Sequence, residues 1–138
     1  MMKNISNPRL WLLIFGSANI LFGLLLIIGG GAENIVTTLG SDAADEILMT
    51  FAKDMHEALG VLWAAFGAWV LAAGIVFRGS AAKKPAVFSA IIGSAVQTHH
   101  IIQIASGGLP VGYLDAGISL ILIACLFVSG VVYKGDSP

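Results

Sequence analysis

The sequence predicts an all-α integral membrane protein, a four-helix up-and-down bundle with both termini in the cytoplasm. Of its 138 residues, 57% are hydrophobic and 11% are charged, whereas soluble domains average about 25% charged residues. The charged residues leave long uncharged gaps, and a membrane-spanning helix needs about 20 mostly apolar residues. The gaps predict a single domain, residues 1–138, with spans at about 8–28, 57–77, 85–105 and 111–133.

The distribution of basic residues predicts the orientation of these spans. Six of the seven lysines and arginines precede span one, lie between spans two and three, or follow span four, and only Lys53 lies on the other side. Basic residues favour cytoplasmic loops. We therefore expect a multi-pass protein of the cell membrane, specifically the bacterial inner membrane, with the lipid bilayer as a partner and no nucleic-acid partner.

Span one begins where the sequence provides a helix cap. Asn7 can accept hydrogen bonds from free backbone amides, and Pro8 is favoured at the first helical position. The basic start and apolar run resemble a signal peptide, but the run continues through Ile28 without a cleavage site of small residues. We therefore predict a retained first span.

Small residues predict close helix contacts in spans one and two. Gly16 and Gly23 lie seven residues apart on one face, with Asn19 between them, and a stripe of Gly and Ala runs through span two. Such residues let helix backbones approach within a membrane. Asn19 is a buried polar residue that requires a hydrogen-bond partner.

A short amphipathic helix is predicted at about 41–55, in the outer loop. Ser41 is followed by acidic residues suited to a first helical turn, and apolar residues then recur at intervals of three and four. This helix would lie on the outer membrane face or cap the bundle. Nothing between Lys53 and Leu59 breaks a helix, so the alternative is direct continuation into span two.

Spans three and four form an antiparallel pair. Span three begins at Pro85 after a basic link, and the turn at 106–110 is too short for any other arrangement. Tyr113 and Tyr133 lie near the two ends of span four, where amphipathic rings favour the membrane interface. Cys125, the single cysteine, excludes an intrachain disulfide.

Polar residues near the outer surface form the candidate site. At 100° per residue, His100 lies at the centre of the polar arc of span three, with His99 at its edge. At 1.5 Å per residue, both histidines and Asp115 lie roughly 7 to 9 Å below the outer helix ends. Because His56 and Glu57 begin span two on the same side, all five groups can converge on one outer-leaflet cavity.

Ionisable groups within a span cost about 2.5 to 3.5 kcal/mol on insertion scales, so they are usually partnered and often functional. In a catalytic reading, His100 is the acid or base, Asp115 orients it, and Glu57 or His56 is the opposite proton partner. The structural alternatives are an Asp115 that flanks span four at the headgroups, a His100–Asp115 pair that joins helices, and a solvated His56–Glu57. The candidate ligand-binding residues are Asn19, Gln97, His99, Gln103 and Trp63.

The sequence lacks motifs for metals and cofactors, so neither is predicted. His56-Glu57 is not followed by the second histidine of a zinc-protease motif. No second histidine at matching depth on another span would complete a haem site. There is also no phosphate-binding loop, no dinucleotide fingerprint and no cysteine pair.

The segment MHEALGVLWAAFGAWVLAAGIVFR is similar to the second span of the DoxX-like group of small bacterial four-helix membrane proteins. It has an acidic start, carries Gly60 and Gly67, and ends in Gly-x-x-x-Arg. Phe22-Gly23 in span one is compatible, and the resemblance covers about half the chain. It implies a small bacterial membrane protein of a group in which some members are accessory subunits of quinone-linked oxidoreductases.

Three functional hypotheses follow. The first is a non-catalytic subunit or scaffold that packs against other membrane proteins or itself, favoured by 17 glycines and the lack of motifs. The second is an enzyme or binder acting on a lipophilic molecule, such as a quinone, isoprenoid or lipid, in the outer leaflet. The third, ranked last, is a proton-coupled transporter, since no carboxylate lies in the cytoplasmic half of the spans.

Overall fold

A computed structural model describes residues 6–29, 46–105 and 113–135. The described residues form four α-helices and one 3₁₀ turn, without strands, so the all-α prediction is confirmed. In chain order these are α1 (Pro8–Ile28), α2 (Glu46–Val76), the 3₁₀ turn (Gly79–Ala82), α3 (Lys83–Ala105) and α4 (Tyr113–Val132).

Within these described ranges, α1 and α2 are long and apolar enough to cross a membrane, and Ala116–Val132 is a shorter apolar helix. The helix α3 is not among them, because the polar residues of the predicted site lower its hydropathy.

The predicted start of α1 is confirmed. The Asn7 side-chain oxygen accepts a hydrogen bond from the Arg9 amide at 3.0 Å, and Pro8 occupies the first turn. At the other end, the Gly29 amide donates to the Leu25 carbonyl at 2.7 Å. The predicted bounds of span one therefore match those of the helix.

The helix predicted at 41–55 and span two, predicted at 57–77, are not separate. Residues 46–55 continue into one helix that ends at Val76, whereas residues 41–45 lie outside the described part. No Gly or Pro lies between Glu46 and Leu59, and Lys53 Nζ lies 3.8 Å from Glu57 Oε1 one turn later. Such i,i+4 pairs support a helix, so the boundary at residue 56 is wrong and the continuous alternative is confirmed.

The backbones of α1 and α2 approach closely in an antiparallel pair. A methyl group at Gly16 would lie 2.5 Å from Leu71 N, and one at Gly23 would lie 2.5 Å from Ala64 N. No Cβ fits at such distances without a backbone shift, so glycine is required there. The glycines of this contact recur every seven residues: Gly16 and Gly23 of α1, and Gly60, Gly67 and Gly74 of α2.

The helices α3 and α4 form a second antiparallel pair, and α1 joins it to the first. Gly93 of α3 faces Phe15 of α1 and Ile123 of α4. Contacts of α1 with α4 and α3 are more extensive than those of α2 with α3. The central core between the helices consists of Leu12, Phe15, Val70, Ala82, Ala86, Ala90, Ile123 and Leu126.

The antiparallel arrangement gathers basic residues at one end of the molecule. The starts of α1 and α3 lie at the same end as the last turns of α2 and α4, and Arg9 Nε donates to the Gly74 carbonyl at 3.1 Å. We call this the basic end, and Lys53 lies at the opposite end. The residues of the basic end are Arg9, Arg78, Lys83, Lys84 and Lys134.

We expect Gly23→Ala to lower the free energy of unfolding by about 1 to 3 kcal/mol, the usual cost of overpacking. The matched control is Gly117→Ala in α4, where an added methyl meets no atom within 4 Å. Helix propensity should make that variant equal to, or slightly more stable than, the original. Unfolding in mixed micelles, followed by circular dichroism, measures both changes. Equal stability of the two variants would contradict the close contact of α1 with α2.

Candidate functional site

Among the predicted site residues, Gln97 makes a described hydrogen bond between helices. Its side chain is 4% exposed, and Nε2 donates to the Ala116 carbonyl at 3.5 Å. The bond is long and therefore weak. It links α3 to α4 at Ala116, the residue after Asp115. The contact therefore lies near the end of the bundle away from the basic residues.

The register of α3 against α4 places predicted site residues in one layer. Gly93 faces Ile123, and four residues later Gln97 faces Ala116, as expected for antiparallel helices. The backbone of Asp115 therefore lies level with that of His99 and His100. The side chains of His100, Gln103 and Asp115 are outside the described part of the structure, so their roles stay predictions.

The side chain of His99 points away from the core. It is exposed, as is neighbouring Thr98, whose hydroxyl donates to the Ser94 carbonyl at 2.8 Å. This face of α3 therefore meets the surroundings of the bundle. A His99 ring in this position agrees with an interfacial residue better than with one that lines an internal cavity.

His56 and Glu57 lie on α2, at the end away from the basic end. Both are partly exposed, and the Glu57 carboxylate is near the Lys53 ammonium at 3.8 Å. Among the described residues, no hydrogen bond or ion pair joins either residue to α3 or α4. Their convergence with the histidines of α3 therefore has no described contact to support it.

Asn19 finds its partner within its own helix. Its side chain is buried, and Nδ2 donates to the Phe15 carbonyl one turn earlier at 2.7 Å. Its Cβ would lie 2.9 Å from a methyl group at Gly67. Asn19 therefore lies in the contact between α1 and α2, where its polarity is met locally.

Trp63 belongs to a row of aromatic rings that sequence reasoning missed. Its ring lies 5.7 Å from Phe22 at 90° and 6.4 Å from Phe66 at 67°. The available signal was the three-residue spacing of the α2 rings, which places them on one helix face. We call the set Phe15, Phe22, Trp63, Phe66, Trp69 and Phe88 the aromatic row.

The aromatic row connects α2 with both α1 and α3. Phe66 lies edge-on to Phe15 at 6.2 Å and stacks on Trp69 at 6.3 Å. Trp69 in turn lies 5.9 Å from Phe88 of α3. Each such pair contributes about 0.5 to 1.5 kcal/mol beyond area burial, so the row strengthens the otherwise sparse contact of α2 with α3.

The remaining buried polar side chains also bond to nearby backbone. Ser89 Oγ donates to the Pro85 carbonyl and Ser129 Oγ to the Leu126 carbonyl, each at 2.8 Å. Across the described residues, no buried side-chain nitrogen or oxygen lacks a partner. The same residues contain no group of three or more His, Cys, Asp or Glu side chains arranged to hold a metal ion.

The described site therefore contains one weak hydrogen bond between α3 and α4. Its other buried polar side chains donate hydrogen bonds to carbonyls of their own helix. Comparison of the chain with protein families, curated proteins and solved structures finds no match in any of the three.

Proposed function

We propose that this chain is a small multi-pass membrane protein that serves as a non-catalytic subunit or scaffold, packed against other membrane proteins or against copies of itself. One observation supports this role above the others. Buried polar side chains in the described residues donate to the chain's own carbonyls, while large apolar side chains are exposed on every helix. Such a surface suits lipid and apolar helices rather than water.

With four spans, both termini and the link between α2 and α3 lie on the same side of the membrane, at the basic end, and we place this side in the cytoplasm. At 1.5 Å per residue, α1 is about 30 Å long, which matches the hydrocarbon thickness of a bilayer. The positive-inside rule favours cytoplasmic placement of an end that carries five basic residues. The bacterial inner membrane is the location that we propose for this topology.

The outer side of α2 is the face that we assign to subunit contacts. The helix packs mainly against α1, and large apolar side chains on its other side are exposed, with Leu62 at 65% and Ile75 at 57%. We propose that the resemblance of this helix to DoxX-like proteins, some of which are accessory subunits, extends to the same role.

The second candidate is an enzyme or binder for a lipophilic molecule, such as a quinone, isoprenoid or lipid, in the outer leaflet. The register of α3 against α4 favours it, because the backbone of Asp115 lies level with His99 and His100. In this candidate, His100 transfers the proton and Asp115 orients the imidazole.

We expect the protein to remain in the membrane pellet after alkaline carbonate extraction. Alkaline phosphatase fused after Lys134 should be inactive, because the fusion point lies in the cytoplasm, and phosphatase inserted at residue 108 should be active. Green fluorescent protein at the same two positions, as the matched control, should give the reverse pattern. Release into the soluble fraction would refute membrane integration, and identical phosphatase activity at both positions would refute the topology.

Cross-linking in native membranes tests the subunit role. In a Cys125→Ser background, we expect Leu62→Cys to form discrete cross-linked species with a partner or a second copy. Ile121→Cys on α4 is the matched control, because Leu62 and Ile121 are both 65% exposed. A monomer without adducts at either position, purified with a bound small molecule, would contradict the scaffold role and favour the second candidate.

For the second candidate, His100→Ala and Asp115→Ala should remove a co-purifying lipophilic compound while the free energy of unfolding stays within about 1 kcal/mol of the original. Thr98→Ala is the control, since its side chain is exposed and Thr98 is not among the predicted site residues. Mass spectrometry of organic extracts and detergent unfolding measure the two effects. Loss of folding in step with loss of the compound would leave these residues a structural role only.

A further inference from the structure

A groove opens on the surface of the α3–α4 pair at the basic end. Its volume is about 450 Å³, and its lining is almost entirely apolar apart from two lysines at one end. The lining residues are Lys83, Lys84, Val87, Phe88, Ile91 and Gly130.

Helical spacing aligns the groove with the axis of α3. Lys84, Phe88 and Ile91 follow one another at intervals of four and three, so they share a face. From Lys84 to Ile91 the helix rises about 10 Å. The groove therefore runs from the lysines at the basic end towards the middle of the bundle, parallel to the direction in which a lipid acyl chain lies.

The walls of the groove have clear structural origins. Gly130 lets the α4 backbone approach α3, because a methyl group there would lie 2.8 Å from Val87 Cγ2 and 3.1 Å from the Lys83 carbonyl. On the other side, the Phe88 ring packs against Trp69 of α2 at 5.9 Å. Phe88 and Ile91 nevertheless remain more than half exposed, so the groove offers apolar surface that the chain itself does not cover.

The two lysines leave positive charge at the open end of the groove. Lys84 is exposed and Lys83 is partly exposed. The helices α3 and α4 contain one carboxylate, Asp115, which lies at their opposite end. Neither helix therefore carries an acid near the lysines, and the groove combines an anion-attracting end with an apolar channel.

We propose that this groove binds an anionic phospholipid of the cytoplasmic leaflet, an inference that rests on the membrane location proposed above. The lipid phosphate lies against the Lys83 and Lys84 ammonium groups, and one acyl chain lies along Val87, Phe88 and Ile91. Anionic and zwitterionic lipids have the same kinds of acyl chain. The groove therefore selects between them by the net charge of the headgroup, because juxtamembrane lysines attract anionic headgroups.

The test uses full-length protein purified in mild detergent, mixed with equal amounts of phosphatidylglycerol and phosphatidylcholine, and analysed by native mass spectrometry. We expect phosphatidylglycerol to be retained on the order of tenfold more than phosphatidylcholine. The double variant Lys83→Gln/Lys84→Gln should bring the two lipids near parity. The control Arg78→Gln/Lys134→Gln removes the same charge from the same end, outside the groove, and should keep the preference.

A second pair of variants tests the apolar channel. Ile91→Trp should fill the inner part of the groove and lower retention of phosphatidylglycerol several-fold, whereas Ile121→Trp on the exposed side of α4 should not. Circular dichroism checks that all variants remain folded. Equal retention of both lipids by the original protein, equal loss in both double variants, or a lipid-free dimer that covers the groove would overturn the proposal.

Carbonate extraction of the membranes from which the protein is purified separates failure of the lipid site from failure of the membrane location. Protein in the membrane pellet without phosphatidylglycerol preference overturns the lipid site alone. Protein in the soluble fraction overturns the membrane location, and the lipid site with it.

Discussion

The close contact between α1 and α2 is the constraint on which the rest of the structure depends. Glycines at seven-residue intervals on both helices leave no room for side chains between the backbones. On the membrane placement proposed above, association of these apolar helices would depend on van der Waals packing rather than on a hydrophobic driving force. This contact also places Asn19 in the interface and orients the rings of Phe15 and Phe22 towards α2, so one backbone approach organises both polar and aromatic neighbours.

The position of α1 explains how a chain with few buried large side chains forms one core. Because α1 contacts α2 on one side and the α3–α4 pair on the other, Leu12 and Phe15 are shared by both halves of the molecule. The aromatic row then bridges α2 to α3 where their backbones are far apart. This arrangement leaves α2 with one main neighbour, α1, and an exposed outer side.

Features encoded by neighbouring residues could be predicted from the sequence, and features set by helix pairing could not. Asn7-Pro8 determines where α1 begins by local hydrogen bonding. The continuity of α2 through residue 56 was one of two predicted alternatives. The absence of Gly and Pro permits a continuous helix there but does not require one. Which face of α2 meets α3 depends on the glycine register across helices, so the contact of Trp69 with Phe88 was not predicted. The polar residues of α3 could be assigned to an arc, but Gln97 alone has a described contact across that arc.

The difference in length between α1 and α2 has a consequence for the membrane placement proposed above. At 31 residues against 21, α2 exceeds its partner by roughly 15 Å, and exposed Ile47 and Phe51 extend apolar surface along the excess. On the membrane placement proposed above, Lys53, Asp54 and Glu57 keep this excess out of the hydrocarbon layer, so α2 would project beyond α1 on the side opposite the basic end. Since the interlocked glycines fix α2 against α1, the projecting segment would move together with both helices.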